Sequence, residues 1–175
     1  MYLISVYFDE SSERTLQRYI YQIADKTGNT FMTANGVPPH MTIASIEARD
    51  VEVLVPTFEE LCGRLEAGRI KFVSVGQFFP YVFYATPVLN EYLSSLCVQV
   101  HEAYKDILDT SLSKYYKPMS WLPHVTLGKT LDKAQMQIAF QVMQDNFVPF
   151  EAEVTEIGLS KVNPHEDVRR IVLRK

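Results

Sequence analysis

The sequence lacks several features that would place it in a narrow class at once. It has only two cysteines among 175 residues, Cys62 and Cys97, and each lies in a stretch predicted to be helical. Their spacing gives no support to a disulfide, so we expect reduced core thiols in a cytoplasmic protein. Long apolar runs are missing too. The apolar stretch Met1–Phe8 has the length of a strand and no basic flank, so neither a signal peptide nor a membrane span is expected.

Positive charge is also in short supply. The 17 Lys and Arg residues face 21 Asp and Glu residues, which leaves a net charge of −4. This balance argues against a protein that coats duplex DNA by neutralising its phosphates, but it allows a small phosphorylated or single-stranded ligand in a local pocket. With 47% hydrophobic residues the chain can bury a substantial core. One domain spanning residues 1–175 is therefore expected, as a monomer.

Two short stretches of this chain are nearly alike. Residues 37–44 read VPPHMTIA, and residues 121–128 read WLPHVTLG. In each, proline leads into His-x-Thr and an aliphatic residue, and the β-branched and aliphatic side chains predict a strand. Side chains two apart on a strand share a face. His40 therefore lies beside Thr42, and His124 beside Thr126, while the residues between them point into a core.

The surroundings of the two motifs repeat as well. Each His-x-Thr strand is followed by a helix, by a strand with Gly76 or Gly158, by a proline corner and by another strand. We predict two halves, roughly 1–87 and 88–175, related by an approximate two-fold axis. Such an axis would bring the two His-Thr pairs face to face across a central cleft.

Hydrophobic periodicity predicts the remaining elements. The strands are predicted at Tyr2–Phe8, His40–Ile46, Ile70–Phe78, Tyr81–Thr86, Phe150–Lys161 and Asp167–Arg174. The helices are predicted after a Ser11 or Ser12 cap as far as Gly28, from Asp50 to Gly68, from about Val88 to Ser111, and from Asp132 to Asn146. Within the second helix, Pro56 either introduces a kink or delays the start to a capping box at Thr57-x-x-Glu60.

Two histidines and two hydroxyls suit one kind of chemistry. An unperturbed histidine titrates near pH 6.5, so one can be neutral and accept a proton while the other is charged and donates one. In-line hydrolysis of a phosphodiester needs this pair, to deprotonate water and to protonate the departing ribose oxygen. The threonine hydroxyls would hydrogen-bond the non-bridging oxygens, where charge gathers. The sequence leaves open which histidine is the base.

The paired motifs resemble those of the 2H phosphoesterase superfamily, which contains the 2′-5′ RNA ligase-like proteins. The resemblance implies an α+β, bilobal fold with two pseudo-twofold-related antiparallel sheets lining a central cleft and helices on the outside. Known members open 2′,3′-cyclic phosphates, hydrolyse 2′-5′-linked oligonucleotides or trim RNA ends, without a metal or other cofactor. By this resemblance His40 and His124 are the catalytic acid/base pair, and Thr42 and Thr126 bind the phosphate.

The sequence departs from the bacterial RNA-processing branch at one position. That branch usually has an arginine two residues after the aliphatic position of the second motif, where this chain has Lys129. Lysine attracts phosphate as a point charge rather than as a bidentate fork, so the geometry and the substrate can differ.

Aromatic residues close to the motifs are the remaining candidates for substrate binding. Tyr115, Tyr116 and Trp121 lead into the second motif, and Phe79 lies at the proline corner of the first half. They could stack a nucleobase, or they could close the end of a lobe. The other histidines are expected to be exposed, His101 on the polar side of the long helix and His165 in a corner loop.

Three functional hypotheses follow from the sequence. The first is a metal-independent phosphodiesterase acting on a small cyclic or 2′-linked nucleotide phosphate or on an RNA end, with no duplex DNA and no membrane as partner. The second is a binding module that holds a nucleotide or RNA end without turnover. A zinc hydrolase is disfavoured, because each motif has threonine where a second metal ligand would stand.

Overall fold

A computed structural model describes residues 1–162 and 165–175 of the chain. Its strands are β1 (Tyr2–Phe8), β2 (Met41–Ala48), β3 (Gly68–Phe78), β4 (Val82–Pro87), β5 (Thr110–Leu112), β6 (Val125–Gly128), β7 (Phe150–Lys161) and β8 (Glu166–Val172). Its helices are α1 (Glu10–Thr27), α2 (Phe31–Ala34), α3 (Val55–Cys62), α4 (Glu91–Tyr104) and α5 (Lys133–Asn146). The predicted corner at Asn163 and Pro164 lies outside the described residues.

Most of the predicted elements are confirmed, and the differences have local causes. The cap of α1 is Asp9 rather than Ser11 or Ser12, since its carboxylate accepts the backbone N–H of Ser12 and also that of Glu153. Helix α4 ends at Tyr104 instead of Ser111, because the following residues leave the helix and form β5 beside β2.

The position of Pro56 settles how α3 begins. The helix starts at Val55 after a turn of 3-10 helix at residues 51–53, so Pro56 lies in its first turn. Proline is tolerated there because its missing N–H has no helical partner to lose. The start is delayed, as one of the two alternatives predicted, but the Thr57-x-x-Glu60 capping box is not its beginning.

The eight strands in the described part of the chain belong to one antiparallel sheet whose hydrogen bonding runs in a closed circuit. The order is β1-β2-β6-β4-β3-β7, with β7 pairing back to β1, while β5 pairs with β2 and β8 with β7. The long strand β7 serves both halves, because residues 150–154 pair with β3 and residues 154–161 pair with β1. The two predicted sheets are therefore continuous through β7 and through the contact between β2 and β6.

The register of the sheet repeats between the two halves. Ser5 of β1 pairs with Thr42 on one side and with Gly158 on the other. Tyr84 of β4 pairs in the same way with Thr126 and Gly76. Each motif threonine thus lies in a row with a glycine, across one intervening strand.

The helices cover one face of the sheet, and each half contributes a helix that lies over the other half. Helix α1 contacts α5 and β6, while α4 contacts α3 and β2, so each half's motif strand is covered by a helix from the other half. The buried core lies between these helices and the sheet. Both cysteines are buried and free, as expected. None of the helices in the described ranges is long and apolar enough to cross a membrane.

Candidate active site

The two motifs meet where β2 contacts β6. Met41 and Val125 are paired directly in an antiparallel register, and both are fully buried in the core. In such a register opposite residues point to the same face, and neighbours along each strand point to the other. His40, Thr42, His124 and Thr126 therefore share the face that points away from the helices. We call the face that carries these four side chains the motif face.

The two histidine rings are held by matching hydrogen bonds. Nδ1 of His40 donates to the carbonyl oxygen of Pro38 at 2.9 Å, and Nδ1 of His124 donates to that of Leu122 at 2.8 Å. Because a carbonyl oxygen can only accept, the proton of each neutral ring is on Nδ1. In both histidines Nε2 is then the nitrogen left to accept or donate a proton.

Aromatic rings enclose His124. The ring of Phe78 meets it edge-on with centroids 4.8 Å apart, and the ring of Tyr84 lies 5.5 Å away. Phe78 and Tyr84 also contact each other, at 4.4 Å. His124 therefore has a neutral, largely apolar wall on this side.

The surroundings of His40 are more polar. The ring of Tyr7 lies 6.2 Å away, and the ring of His165 lies 6.2 Å away in a nearly parallel orientation. Nε2 of His165 is 3.3 Å from a carboxylate oxygen of Asp167. The expectation that His165 is exposed is wrong, since its side chain is only 20% exposed and borders His40.

His101 also departs from its expected exposure. Its side chain is 20% exposed on α4, with Nδ1 3.9 Å from a carboxylate oxygen of Glu102. It is half-buried because the helix packs this turn toward its neighbours, and no contact in the described structure joins it to the motif residues.

Two glycines make room for the tyrosines. A Cβ on Gly76 would lie 2.6 Å from the hydroxyl of Tyr84, and a Cβ on Gly158 would lie 2.9 Å from Cε2 of Tyr7. Both tyrosine rings thus lie directly over a glycine backbone, and each flanks one histidine. Sequence reasoning did not include Tyr7 and Tyr84 in the site. The repeated glycines, Gly76 and Gly158, were the sequence feature that could have indicated them, because each leaves room for one of these rings.

Burial lowers the pKa of both motif histidines below 6.5. In each case the hydrogen bond to the carbonyl acts against this shift. Positive charge on His165 or on His124 lowers the pKa of His40 further, whereas the Asp167 carboxylate raises it. At neutral pH both free rings are therefore mainly neutral. For one ring to act as a general acid it must become protonated, which a bound anion or a lower pH favours.

Tyr7 has a charged neighbour on its outer side. The guanidinium of Arg170 lies 3.7 Å from the centre of the Tyr7 ring and is paired with the carboxylate of Glu156. Burial and the charge of Asp167 raise the pKa of Tyr7 to about 12, although Arg170 opposes them. Tyr7 is thus a neutral phenol at neutral pH.

Trp121 is not available to a nucleobase. It is 7% exposed, packs in the hydrophobic core and donates its Nε1–H to the carbonyl oxygen of Thr42 at 3.0 Å. The predicted stacking role is wrong for this residue, because its ring faces are covered. Its observed contact instead ties the segment before the second motif to the strand of the first.

The other predicted aromatics lie at different distances from the motif face. Tyr116 is half-buried against the core, and Tyr115 is exposed with the ammonium of Lys114 5.3 Å from its ring centre. Phe79 is 87% exposed and lines a separate surface pocket of about 540 Å³. Phe78, its neighbour, is the residue that contacts His124, and a substrate-binding role of Phe79 stays a prediction.

Lys129 is exposed at the end of β6. Its Nζ lies 5.5 Å from the ring centre of Phe31, in the short helix α2. Helix α2 lies between the predicted helix that ends at Gly28 and the predicted strand at His40, and it brings Phe31 to the side of the second motif. A role of Lys129 in phosphate binding stays a prediction.

A metal centre has no obvious ligand set in the described part of the chain. Within residues 1–162 and 165–175, no group of three or more His, Cys, Asp or Glu side chains is placed to hold a metal ion.

Comparison with solved structures defines the class of this fold. A crystal structure named as a phosphoesterase superposes with a TM-score of 0.67 at 13% identity, covering 99% of this chain and 98% of the other. Escherichia coli LigT in complex with 3′-AMP gives 0.65 at 16% identity, covering 99% and 98%. TT0787 of Thermus thermophilus gives 0.62 at 17% identity, covering 99% and 97%. The α+β fold is thus that of the LigT-like 2H phosphoesterases, as predicted.

The sequence itself identifies the family. A model of the 2′-5′ RNA ligase superfamily matches residues 8–166. The chain therefore belongs to the 2′-5′ RNA ligase superfamily. A search of curated proteins finds no match to the chain.

The glycines beneath the tyrosines provide a test of this arrangement. We expect Gly76→Ala and Gly158→Ala each to lower the free energy of unfolding by about 1–3 kcal/mol, because the added methyl displaces Tyr84 or Tyr7. Urea denaturation measures this loss. Gly63→Ala is the control, since its added Cβ would be 3.4 Å from the nearest atom, an ordinary contact. Equal effects at all three glycines would contradict the described packing.

The lowered histidine pKa values predict how stability depends on pH. A group whose pKa is lower in the folded state binds more protons when unfolded, so the fold loses stability as pH decreases from about 6.5 through the folded-state pKa values. We expect the urea concentration at the unfolding midpoint to decrease as the pH is lowered through this window. The midpoint should decrease less in the double variant His40→Gln/His124→Gln. An identical dependence of the midpoint on pH in the wild-type protein and the variant would show that these rings are not desolvated.

Proposed function

We propose that this chain is a metal-independent phosphodiesterase that hydrolyses a cyclic or 2′-linked phosphodiester of a nucleotide or an RNA end. The observation that carries the proposal is the matched pair of histidines, each with Nδ1 bonded to a carbonyl and Nε2 left free. A protein that only binds phosphate does not need two general acid/base groups with the same hydrogen-bonding arrangement. Family membership and fold support phosphoesterase chemistry in general.

The proposed reaction divides the proton transfers between the two rings. One neutral histidine accepts a proton from water at Nε2 as the water oxygen attacks phosphorus. The other, protonated, histidine donates a proton from Nε2 to the ribose oxygen as its bond to phosphorus breaks. Hydroxyls of Thr42 and Thr126 donate hydrogen bonds to the non-bridging oxygens, which carry the developing charge.

The threonines are placed differently for this task. The hydroxyl of Thr42 lies 3.4 Å from that of Ser5, so it has a polar neighbour within the sheet. Thr126 is half-buried beside Tyr84. Ser5 can orient the Thr42 hydroxyl toward a bound oxygen, so it joins the proposed phosphate site as a supporting residue.

A nucleotide is the proposed class of ligand. The structural relative LigT was crystallised with 3′-AMP and with ATP, which are phosphate-bearing nucleotides. The chain has no surplus of positive charge, so a small substrate or a single RNA end fits better than a duplex. Tyr115, in the segment that precedes the second motif, is exposed and could stack on a nucleobase. The cytoplasmic location and the monomeric state stay predictions.

Activity assays test the proposal. We expect turnover of at least one substrate among 2′,3′-cyclic nucleotides, 2′-5′ oligoadenylates and cyclic dinucleotides, with EDTA present. His40→Ala and His124→Ala should each reduce kcat by about 10²–10⁴-fold, the usual size of one proton-transfer role. The double variant should be little worse than either single one, because the two rings act as a unit.

The matched control is His101→Ala, a half-buried histidine away from the motif face, which should keep wild-type kcat. No turnover of any substrate, together with tight binding of 3′-AMP that survives both motif variants, would make the chain a binding module instead. Loss of activity on adding EDTA would contradict metal independence. Joining of RNA ends without hydrolysis would assign ligase activity.

A further inference from the structure

We propose that His165, with the Asp167 carboxylate beside it, is a third histidine of the active site, which positions the ring of His40 and sets the pH range in which His40 works. This inference rests on the proposed function, since it concerns the same site. His165 does not belong to either His-x-Thr motif, and it follows β7 rather than preceding a motif strand.

The packing of the His165 ring supports a specific role. Its plane lies 22° from that of His40, with the ring centroids 6.2 Å apart. Its Nε2 is 3.3 Å from a carboxylate oxygen of Asp167, at the start of β8. A histidine in a turn would ordinarily point into solvent, but this side chain is only 20% exposed. The carboxylate thus lies within ion-pair distance of a ring that adjoins His40, although no hydrogen bond joins the two side chains.

The groups that face His40 come from four parts of the fold. Tyr7 of β1 is neutral because its pKa is raised to about 12. His124, just before β6, and His165 lower the pKa of His40 when they are charged, and Asp167 of β8 raises it. The charge next to His40 therefore depends on the His165–Asp167 pair and on the state of the second motif histidine.

One further charged pair lies behind Tyr7. Arg170 contacts the Tyr7 ring and is paired with Glu156, so the two charges largely offset each other. The His165–Asp167 pair is the closer of the two to the motif histidine, because the ring of His165 itself adjoins that of His40.

A comparison of the two motif histidines shows that packing alone does not require a histidine here. His124 is enclosed by Phe78 and Tyr84, and His40 is enclosed by His165 and Tyr7. Each ring thus has one tyrosine and one further ring beside it. At His124 that further ring is apolar, while at His40 it is titratable and lies beside a carboxylate.

Replacement of His165 by phenylalanine separates the two possible roles of this ring. His165→Phe keeps a flat ring beside His40 but removes the charge and the contact with Asp167. We expect the pKa of His40, measured by NMR titration of its ring signals, to rise, because a positive neighbour is lost. The limb of the pH–rate profile governed by His40 should move to higher pH with it. We also expect kcat to fall about tenfold with KM little changed, as for a loss of positioning.

Two further variants complete the experiment. Asp167→Asn should reduce kcat to a similar degree, and the double variant should be no worse than His165→Phe, since both changes remove the same contact between ring and carboxylate. His101→Phe is the control for a histidine of equal exposure, and it should leave both the His40 titration and kcat unchanged. If His165→Phe does not fold, the kcat and the His40 titration of Asp167→Asn decide.

An unchanged His40 titration and wild-type kcat in His165→Phe would overturn the inference and leave His165 as packing. Additive losses in the double variant would contradict the proposed anchoring, because His165 and Asp167 would then act independently. The titration of His40 needs no turnover, so it can succeed even if the proposed function fails. Conversely, loss of activity in His40→Ala alongside a wild-type His165→Phe would keep the function and reject the third histidine.

Discussion

The antiparallel contact between Met41 and Val125 is the constraint on which the candidate site depends. Both side chains are buried in the core, so their neighbours along β2 and β6 must point to the opposite face. Core packing thus determines where the motif histidines and threonines lie. A slip of β2 by one residue in this pairing would turn His40 and Thr42 toward the helices and bring Met41 to the opposite face.

The burial of the two motif histidines disfavours their charged forms, and this effect is consistent with catalysis. Tyrosine rings lying over glycine backbone exclude water from His40 and His124, and this burial lowers both pKa values. Neutral rings are ready to accept a proton from water. In the proposed reaction, a phosphate bound between the rings would restore the preference of one ring for the charged form, since an adjacent anion stabilises a cation. The substrate would then help to create the acid and base states that the proposed hydrolysis requires.

The parts of the molecule that have short-range signals could be predicted from the sequence. Strands β1 and β7 have their predicted bounds, and the Asp132 cap of α5 is confirmed by its capping box with Gln135. The end of α4 was wrong because the pairing of β5 with β2 overrides a helical pattern. Such a pairing joins residues far apart in the chain, and periodicity does not reveal it. The site shows the same division. His40 and His124 were found because the motif repeats, whereas Tyr7 and Phe78 reach them only through strand register. Trp121 was misassigned because an aromatic residue near a motif has the same local pattern whether it is buried or exposed.

The most direct test of the account is a crystal structure of the protein with bound 3′-AMP or inorganic phosphate. The account predicts one phosphate group on the motif face, with Nε2 of His40 and Nε2 of His124 both within hydrogen-bond distance of its oxygens and the two threonine hydroxyls beside them. A phosphate that contacts one histidine alone, or that binds away from both, would contradict the central claim that the two motifs form a single site.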